Sequence, residues 1–332
     1  MGDMSAGVGS WLAFAAKLGV GAVAVVLSLL FMFQDKLLYM PNPPGAPGPT
    51  PNDNPQGYRS PKEYKLEFEE HMIPTADGQK IHTWLMLQKD SANVPTLIYF
   101  HGNACNMGLR LPRSHQFFIK VGVNVLMMDY RGYGKSSGVP SEKGINLDTQ
   151  AVLDFAVSHP KLRNSKIVLY GDSLGGAVVF ALADKMPNKV AYLIVENTFS
   201  SIADMVNIIF PFVSPLKWLV LRIGWDSLKI APTITQPILF VSGDKDELVP
   251  PSHMKALYDA ATSSSNRQLY VIKNGCHNGS FEKAGSKAYC ERMLKFLFGE
   301  SNEHAKAPVE AKGGDNVVLP ALSTATILPD VY

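Results

Sequence analysis

The sequence has little of what metal, disulfide or nucleic-acid chemistry requires. Its 332 residues carry a net charge of only +2 and the basic residues are scattered, which leaves no basic patch for nucleic acid. Cys105, Cys276 and Cys290 are too few for a disulfide framework and are better explained as small buried side chains than as thiol nucleophiles. Neither a zinc-type spacing of Cys and His nor a G-x-x-x-x-G-K phosphate loop occurs. We therefore predict no metal, no cofactor and no nucleic-acid partner.

One long apolar run lies near the N-terminus. Residues 11–33 carry a single charge, Lys17, and match the roughly 20 apolar residues that cross a bilayer. A cleaved signal peptide would have a shorter apolar region and small residues at the cut, whereas this run ends in Phe31-Met32-Phe33-Gln34. A buried core helix is disfavoured because a proline-rich stretch follows. We predict an uncleaved single-pass membrane anchor at 11–33, preceded by an N-terminal segment, 1–10.

The flanking charges are too few to orient this anchor. An endomembrane such as the endoplasmic reticulum and the plasma membrane both stay open as its location.

Three further regions follow the anchor. Residues 41–61 are so rich in proline that they predict neither helix nor central strand, but a semi-rigid spacer that holds the next domain off the membrane. A domain is predicted from 62 to 299. Residues 300–332 have little periodicity and predict a disordered tail.

Short apolar runs alternate with helical patterns through this domain. Segments 64–71 and 80–87 flank Asp77-Gly78 and predict a β-hairpin. The predicted strands that follow are 96–100, 123–128, 167–170, 191–195, 238–241 and 269–272. The predicted helices between them are 109–121, 141–158, 175–186, 251–262 and 280–298. This alternation predicts an α/β fold whose mostly parallel sheet has helices on both faces.

Residues 200–235 interrupt the alternation. They are rich in large apolar side chains around Pro211 and Pro215, too long for a simple crossover and too apolar for a solvated loop. They fit a helix pair packed on the core, or a lid over an apolar substrate site that touches the membrane. We prefer the lid-like insertion because of its position relative to the residues described next.

A candidate nucleophile lies between a strand and a helix. Gly171-Asp172-Ser173-Leu174-Gly175 follows strand 167–170 directly and precedes helix 175–186. A serine on such a sharp turn takes a strained backbone conformation, and small flanking residues avoid clashes. The letters also match a Gly-Asp-Ser-Leu class, but that class needs Asp-x-x-His near its end, which the sequence lacks. We predict that Ser173 is the nucleophile.

A serine hydroxyl attacks only when a base takes its proton. Among the eight histidines, only His277 lies downstream of Ser173 and just past the end of a strand. For the acid we prefer Asp246, which lies three residues beyond Gly243 and clear of strand 238–241. Asp244 and Glu196 stay open as alternatives.

Two backbone N–H groups are expected to stabilise an oxyanion. Leu174 follows the nucleophile and supplies one. The other comes from the turn His101-Gly102-Asn103-Ala104, where we choose Asn103 over Ala104. His101 is interpreted as structural. The turn from Asp129 to Ser136 is expected to brace the site, with Arg131 and Asp129 as a candidate pair.

These blocks together resemble a known family, the Bem-type (bud emergence) α/β-hydrolases. The resemblance runs from roughly the anchor to residue 299 and includes Tyr99 to Ala104, Asp129 to Ser136, Gly171 to Ala177 and Val195 to Phe199. It implies an α/β-hydrolase fold behind a single membrane helix, and a triad of Ser173, Asp246 and His277. Related membrane hydrolases remove palmitoyl groups from proteins, so the resemblance also implies acyl-ester or thioester hydrolysis on an acylated protein or lipid-like substrate.

The sequence departs from those relatives at two points. Asp172 stands where relatives often carry a basic or neutral residue, and a carboxylate beside the nucleophile would disfavour anionic substrates. The depalmitoylating relatives carry an N-terminal cysteine cluster, which this chain lacks. A serine aminopeptidase of related fold is the alternative enzyme, because Asp172 or Glu196 would suit a free amino terminus. A non-catalytic membrane-tethered scaffold is the alternative outside enzymes.

Overall fold

Continuous apolar runs form the centre of one eight-stranded sheet in a computed structural model that describes residues 4–299. The strand order is β1-β2-β4-β3-β5-β6-β7-β8, and only β2 is antiparallel to its neighbours. The strands are β1 (Glu69–Pro74), β2 (Lys80–Met86), β3 (Thr96–Phe100), β4 (Asn124–Met128), β5 (Ile167–Asp172), β6 (Tyr192–Glu196), β7 (Ile238–Gly243) and β8 (Arg267–Ile272). The predicted mostly parallel α/β sheet is confirmed.

Helices cover both faces of this sheet. They are α1 (Met4–Leu38), α2 (Leu111–Gln116), α3 (Glu142–Ser158), α4 (Leu174–Lys185), α5 (Ile202–Ile209), α6 (Lys217–Val220), α7 (Ser227–Ile230), α8 (Pro251–Ala260), α9 (Ser280–Ala284) and α10 (Ser286–Phe298). The predicted tail 300–332 and the first residues of segment 1–10 lie outside the described residues.

The period of two along each strand divides the core into two clusters. In β3, Ile98 and Phe100 belong to a cluster with residues of α3, α4 and α8. Leu97 and Tyr99 belong to a second cluster, with residues of α10 and of the single π-helical turn Phe117–Val121. Every residue of β3 is buried, which is why these strands read as unbroken apolar runs.

The predicted helix 280–298 is two helices in the structure. Gly285 lies between α9 and α10 with φ +76°, a left-handed conformation that interrupts the helical hydrogen bonds. Similarly, the predicted helix 109–121 consists of a 3₁₀ turn, α2 and the π-helical turn.

Residues 41–61 pack on the domain, which differs from the predicted spacer. Tyr58 is only 1% exposed, and Pro51 and Asn54 are buried with it. The Asn54 Nδ2 donates to Asn106 Oδ1 at 2.8 Å and to the Tyr58 carbonyl at 2.9 Å. Proline density excludes helix here, but the 3₁₀ turns Pro51–Asp53 and Pro61–Tyr64 allow the segment to follow the surface closely.

The N-terminal helix α1 is longer than the predicted anchor and extends to Leu38. Its stretch Trp11–Leu38 has a mean hydropathy of 2.2 and is long and apolar enough to cross a membrane. Tyr39, directly after it, is 3% exposed and accepts a hydrogen bond from Trp225 Nε1 at 2.8 Å. The chain therefore passes from the helix into the domain without a flexible joint.

The packed segment leads to a prediction for stability. Asn54→Ala removes the two hydrogen bonds that the Asn54 amide donates and the one that it accepts from Asn106 Nδ2, so both polar atoms of the buried Asn106 side-chain amide lose a partner. We expect the free energy of unfolding of the full chain in detergent micelles to fall by about 1–3 kcal/mol. Asn52→Ala, at an exposed neighbouring position, is the matched control and should change little. Equal stability of the two variants would indicate a free spacer.

Candidate active site

Ser173 lies on a tight turn that only glycines on both sides permit. It has φ 51° and ψ −118° between the end of β5 and the start of α4. A Cβ on Gly171 would lie 2.1 Å from the Gly175 carbonyl oxygen, and one on Gly175 would lie 2.0 Å from the Phe100 carbonyl oxygen. The side chain of Ser173 is thereby projected beyond the end of the sheet, at the N-terminus of α4.

The structure brings Ser173, His277 and Asp246 together. His277 Nε2 lies 3.1 Å from Ser173 Oγ. His277 Nδ1 lies 2.8 Å from Asp246 Oδ2 and 3.1 Å from Oδ1. The backbone N–H groups of Leu248 and Val249 donate to Asp246 Oδ1, which holds the carboxylate in one orientation. With Nδ1–H donating to Asp246, Nε2 is left to accept from the serine hydroxyl.

The two alternative acids are held elsewhere. Asp244 Oδ1 accepts from the N–H of Asn274, in the turn after β8, at 2.6 Å. Glu196 is bound to Arg113 at 3.2 Å. Of the three candidate acids, Asp246 is the one that contacts His277.

Asn197 braces the histidine turn and was missed by sequence reasoning as a site residue. Its Nδ2 donates to the His277 carbonyl at 3.0 Å and to Ser280 Oγ at 3.0 Å, while its Oδ1 accepts from Gly243 N–H at 2.8 Å. It has φ 45° directly after β6. One feature of the sequence could have identified Asn197: it is a polar residue just past the end of a strand, on the edge of the sheet that carries Ser173.

The predicted oxyanion turn lies against the nucleophile. A Cβ on Gly102 would lie 3.6 Å from Ser173 Cβ, an ordinary contact distance, and 3.2 Å from Asp172 Oδ1, which is tighter. The Asn103 carbonyl accepts from Met40 N–H at 3.0 Å and from the Tyr133 hydroxyl at 2.7 Å. Asn103 Nδ2 donates to the Leu38 carbonyl at 3.1 Å. The turn that holds the predicted donor Asn103 is therefore fixed by the end of α1.

A buried arginine, Arg113, balances the acidic neighbours of Ser173. Its Nη1 lies 3.2 Å from Glu196 Oε2 and 3.8 Å from Asp172 Oδ2. Burial opposes its charge, but the neighbouring Glu196 carboxylate outweighs burial and holds the pKa of Arg113 well above its usual value. The sequence predicts that the Asp172 carboxylate disfavours anionic substrates. We expect a weaker effect, because this carboxylate lies beside the Arg113 guanidinium.

Tyrosine hydroxyls complete this cluster. Tyr99 donates to Asp172 Oδ2 at 2.7 Å, and Tyr170 donates to Glu196 Oε2 at 2.6 Å. The Tyr289 hydroxyl donates to the same Glu196 oxygen. Burial raises the pKa of each of these phenols well above its usual value, so they remain neutral donors. Sequence reasoning missed Arg113, since nothing local to α2 marks it.

A small cavity of about 60 Å³ opens beside Ser173. Its walls come from residues 58, 109, 110, 112 and 113, the Ser173 turn, Glu196, the His277 turn and residue 282. Residues 200–235, all within the described part of the chain, contribute none of these walls. The predicted lid is thus wrong for this cavity, because the insertion instead packs on α1: Gln34 Nε2 donates to the Val220 carbonyl at 2.9 Å.

The turn after β4 braces the site through different partners from those predicted. Arg131 contacts Asp148 and Asp77, each at 2.8 Å, rather than Asp129. Asp129 Oδ1 instead accepts from Met107 N–H at 2.6 Å, because the turn directs its side chain inward. His101 is 1% exposed, and burial lowers its pKa, in keeping with a structural role.

One group of described side chains has the spacing of metal ligands. Glu69, His71 and His159 place their ligand atoms within 4.8 Å of one another. Lys161 Nζ also contacts Glu69 at 2.6 Å. An ammonium group on that carboxylate makes the group an ion-pair network at the surface, and we assign no cofactor to it.

Comparisons with known proteins identify the family of the chain. The model of a hydrolase family described as "Serine aminopeptidase, S33" matches residues 92–228. Protein bem46 of Schizosaccharomyces pombe is 37% identical over 279 residues, which are 83% of this chain and 91% of that protein. A protein of Saccharomyces cerevisiae described as an uncharacterized membrane protein is 32% identical over 280 residues, 84% of this chain and 93% of that one.

A solved structure shares the fold. The esterase Pf2001 of Pyrococcus furiosus superposes with a TM-score of 0.59 at 21% sequence identity, covering 72% of this chain and 94% of that chain. At this identity the likeness shows the fold alone. The resemblance stated from the sequence motifs is confirmed.

The Arg113 cluster leads to a second prediction. Arg113→Met leaves Glu196 without its cation in a buried place, so we expect the free energy of unfolding to fall by about 3–5 kcal/mol. Adding Glu196→Gln should restore part of that loss, because the uncompensated charge is then gone. Chemical denaturation of the full chain measures both. Arg163→Met, at an exposed site, is the control; a loss no larger than the control's would contradict the cluster's structural role.

Proposed function

Because the chain belongs to the Bem46 family of α/β-hydrolases, we propose that it is a membrane-anchored serine hydrolase with Ser173 as nucleophile, His277 as base and Asp246 as orienting acid. The observation that carries the proposal is the continuous hydrogen-bond path from Ser173 Oγ through the imidazole to Asp246. A strained serine at a strand-to-helix turn strengthens it.

The chemistry follows from these contacts. His277 Nε2 takes the hydroxyl proton as Ser173 Oγ attacks the acyl carbonyl carbon, and Asp246 stabilises the imidazolium through Nδ1–H. The tetrahedral intermediate collapses, the bond to the leaving oxygen or sulfur breaks, and His277 returns the proton to the leaving group. Water, activated by the same imidazole, then releases the acid from the acyl-enzyme.

Charge on the carbonyl oxygen needs donors placed before the reaction. We assign this role to the backbone N–H groups of Leu174 and Asn103. Leu174 is the first residue of α4, so the positive end of the helix dipole adds to its effect. Asn103 follows Gly102, which lies against Ser173.

The substrate we favour is an acyl ester or thioester carried by a protein or a lipid-like molecule, which makes the chain a candidate acyl-protein thioesterase. Two features support an apolar substrate at a membrane. One is the length and hydropathy of Trp11–Leu38. The other is the pair of hydrogen bonds that tie the oxyanion turn to the end of this helix: Met40 N–H donates to the Asn103 carbonyl, and Asn103 Nδ2 donates to the Leu38 carbonyl. An endomembrane such as the endoplasmic reticulum or the plasma membrane would present such substrates.

The serine aminopeptidase alternative takes its support from the description of the matching family. An aminopeptidase must bind a free ammonium group near Ser173, most simply through a carboxylate. Asp172 directly precedes Ser173, and Glu196 lies at the end of the adjacent strand β6. Both carboxylates are already bound by Arg113 and by tyrosine hydroxyls. Glu282, which lines the cavity, also lies 4.0 Å from Arg113. We therefore place esters and thioesters first.

A non-catalytic membrane-tethered scaffold would keep the fold without needing the reactive geometry. Loss of chemistry commonly removes a triad member, whereas Ser173, His277 and Asp246 are all present in contact. This alternative therefore comes last.

The proposed triad predicts a contrast between two aspartates in one turn. Asp246→Asn should lower kcat for a p-nitrophenyl ester by about 10⁴-fold, because the imidazole loses its orienting carboxylate. Asp244→Asn is the matched control and should leave kcat near wild type, since its amide oxygen still accepts from Asn274. Full-length chain in detergent micelles is assayed, with Ser173→Ala as the blank. A larger loss for Asp244→Asn, or activity that survives Ser173→Ala, would refute the assignment.

Substrate class is tested by comparing kcat/KM for two substrates. The full chain is expected to hydrolyse a palmitoyl thioester with a higher kcat/KM than an aminoacyl p-nitroanilide, because Asp172 and Glu196, the carboxylates of the described residues that would bind the ammonium group, are already paired. The same pair of substrates is measured on Ser173→Ala. The reverse order of kcat/KM would establish the aminopeptidase.

A further inference from the structure

The insertion after β6 exposes many large apolar side chains. Within 208–219, six of them are at least 40% exposed, with Phe212 at 76% and Trp218 at 75%. We call this set the apolar rim; its members are Ile208, Ile209, Phe210, Phe212, Trp218 and Leu219. Isolated exposed apolar residues are ordinary, but a cluster of this size marks a surface that is covered in use.

The apolar rim is attached to the anchor helix by specific bonds. Gln34 Oε1 accepts from the N–H groups of Arg222 at 2.8 Å and Ile223 at 3.1 Å. The Arg222 guanidinium pairs with Asp35 at 2.9 Å and donates to the Phe31 carbonyl at 3.0 Å. The insertion therefore has a defined position along α1, between Phe31 and Asp35.

That position coincides with the expected membrane boundary. A hydrocarbon core of about 30 Å needs about 20 helical residues. Counted from Trp11, that length ends near Leu30, one residue before the first bond to Arg222. The described side chains of α1 before this point are largely exposed, as lipid-facing residues would be.

An apolar cavity of about 160 Å³ lies behind the rim, at the junction of α1 with the insertion. Leu30 and Leu37 line it from the helix, and Met205, Ile209 and Phe210 from the insertion. Two rim residues thus belong both to the exposed surface and to the cavity, so apolar surface is continuous from the lipid-facing helix into the domain.

We propose that the apolar rim inserts into the interfacial region of the bilayer that α1 crosses, and that lipid acyl chains cover it. The chemistry fits this occupant: aromatic and aliphatic side chains are exposed, a tryptophan is among them, and two basic residues that suit lipid headgroups, Lys217 and Arg222, are close to the rim in sequence. The domain would then rest on the membrane with a fixed orientation, set by the bonds to Gln34. The proposal rests on α1 as a membrane span and is independent of the chemistry at Ser173.

Quenching of tryptophan fluorescence by lipids with brominated acyl chains tests the proposal. The full-length chain is placed in phosphatidylcholine nanodiscs, with and without brominated lipid. In the Trp11→Phe chain, the only exposed tryptophan is Trp218, because Trp84 and Trp225 are each 2% exposed. We expect a loss of emission in brominated nanodiscs that disappears when Trp218→Phe is added.

A matched pair of positions makes the test specific. Ile208 and Val157 are 43% and 44% exposed, and both lie in helices. The first turn of α3 touches the insertion, since Glu142 accepts from Gly224 N–H at 2.7 Å. Val157 lies near the other end of α3, roughly 20 Å from Glu142 along the helix axis at 1.5 Å per residue. In the Trp11→Phe/Trp218→Phe background, Ile208→Trp should be quenched and Val157→Trp should not.

Each other outcome overturns the proposal. Equal quenching at the two positions would mean that the domain has no fixed face toward the lipid. No quenching at either position, with two chains in each nanodisc, would assign the rim to a second copy of the chain. No quenching with one chain in each nanodisc would leave the rim in water. A chain that does not enter nanodiscs would remove the span itself.

Discussion

The site depends on one backbone constraint, the close approach of α4 to the ends of β3 and β5. Gly171 and Gly175 leave no room for a Cβ against neighbouring carbonyl groups, and that approach holds Ser173 at φ 51°. The same approach brings the turn after β3 against Ser173. Because parallel strands end at one edge of the sheet, the turns after β7 and β8 then meet the serine from the other side.

Much of this arrangement could be predicted from sequence, for a physical reason. Buried parallel strands read as apolar runs, and polar residues just past their ends collect at one edge, so Ser173, Asp246 and His277 could be selected together. The choice of Asp246 over Asp244 rested on two residues of spacing, and the contact with His277 agrees with it. The catalytic roles of these residues stay a proposal.

What sequence reasoning missed depends on contacts between distant residues. Arg113 reaches Glu196 across 83 positions, and nothing in α2 announces it. Proline density at 41–61 excludes helices and strands but says nothing of packing, so Asn54 and Tyr58 were not expected in the core. The insertion was expected over Ser173 because of its place after β6, yet Gln34, nearly two hundred residues away in sequence, binds it to α1 instead.

These contacts join the anchor, the insertion and the site into one unit. Leu38 and Met40 bind the turn of Asn103, while Gln34 binds the insertion. A hydrolase built in this way would present its nucleophile at a fixed place relative to the bilayer, which suits substrates whose acyl groups lie in or near lipid. Removing the helix and the packed segment 41–61 would therefore disturb the site as well as the location of the protein.

The central claim is that Ser173 is an activated nucleophile. Mass spectrometry of the full-length chain after reaction with a fluorophosphonate tests it most directly. We predict one phosphonyl adduct, on the peptide that contains Ser173, and none in Ser173→Ala or after prior reaction with a competing acyl substrate. The absence of an adduct on the wild-type chain, or an adduct on a different serine, would contradict the claim.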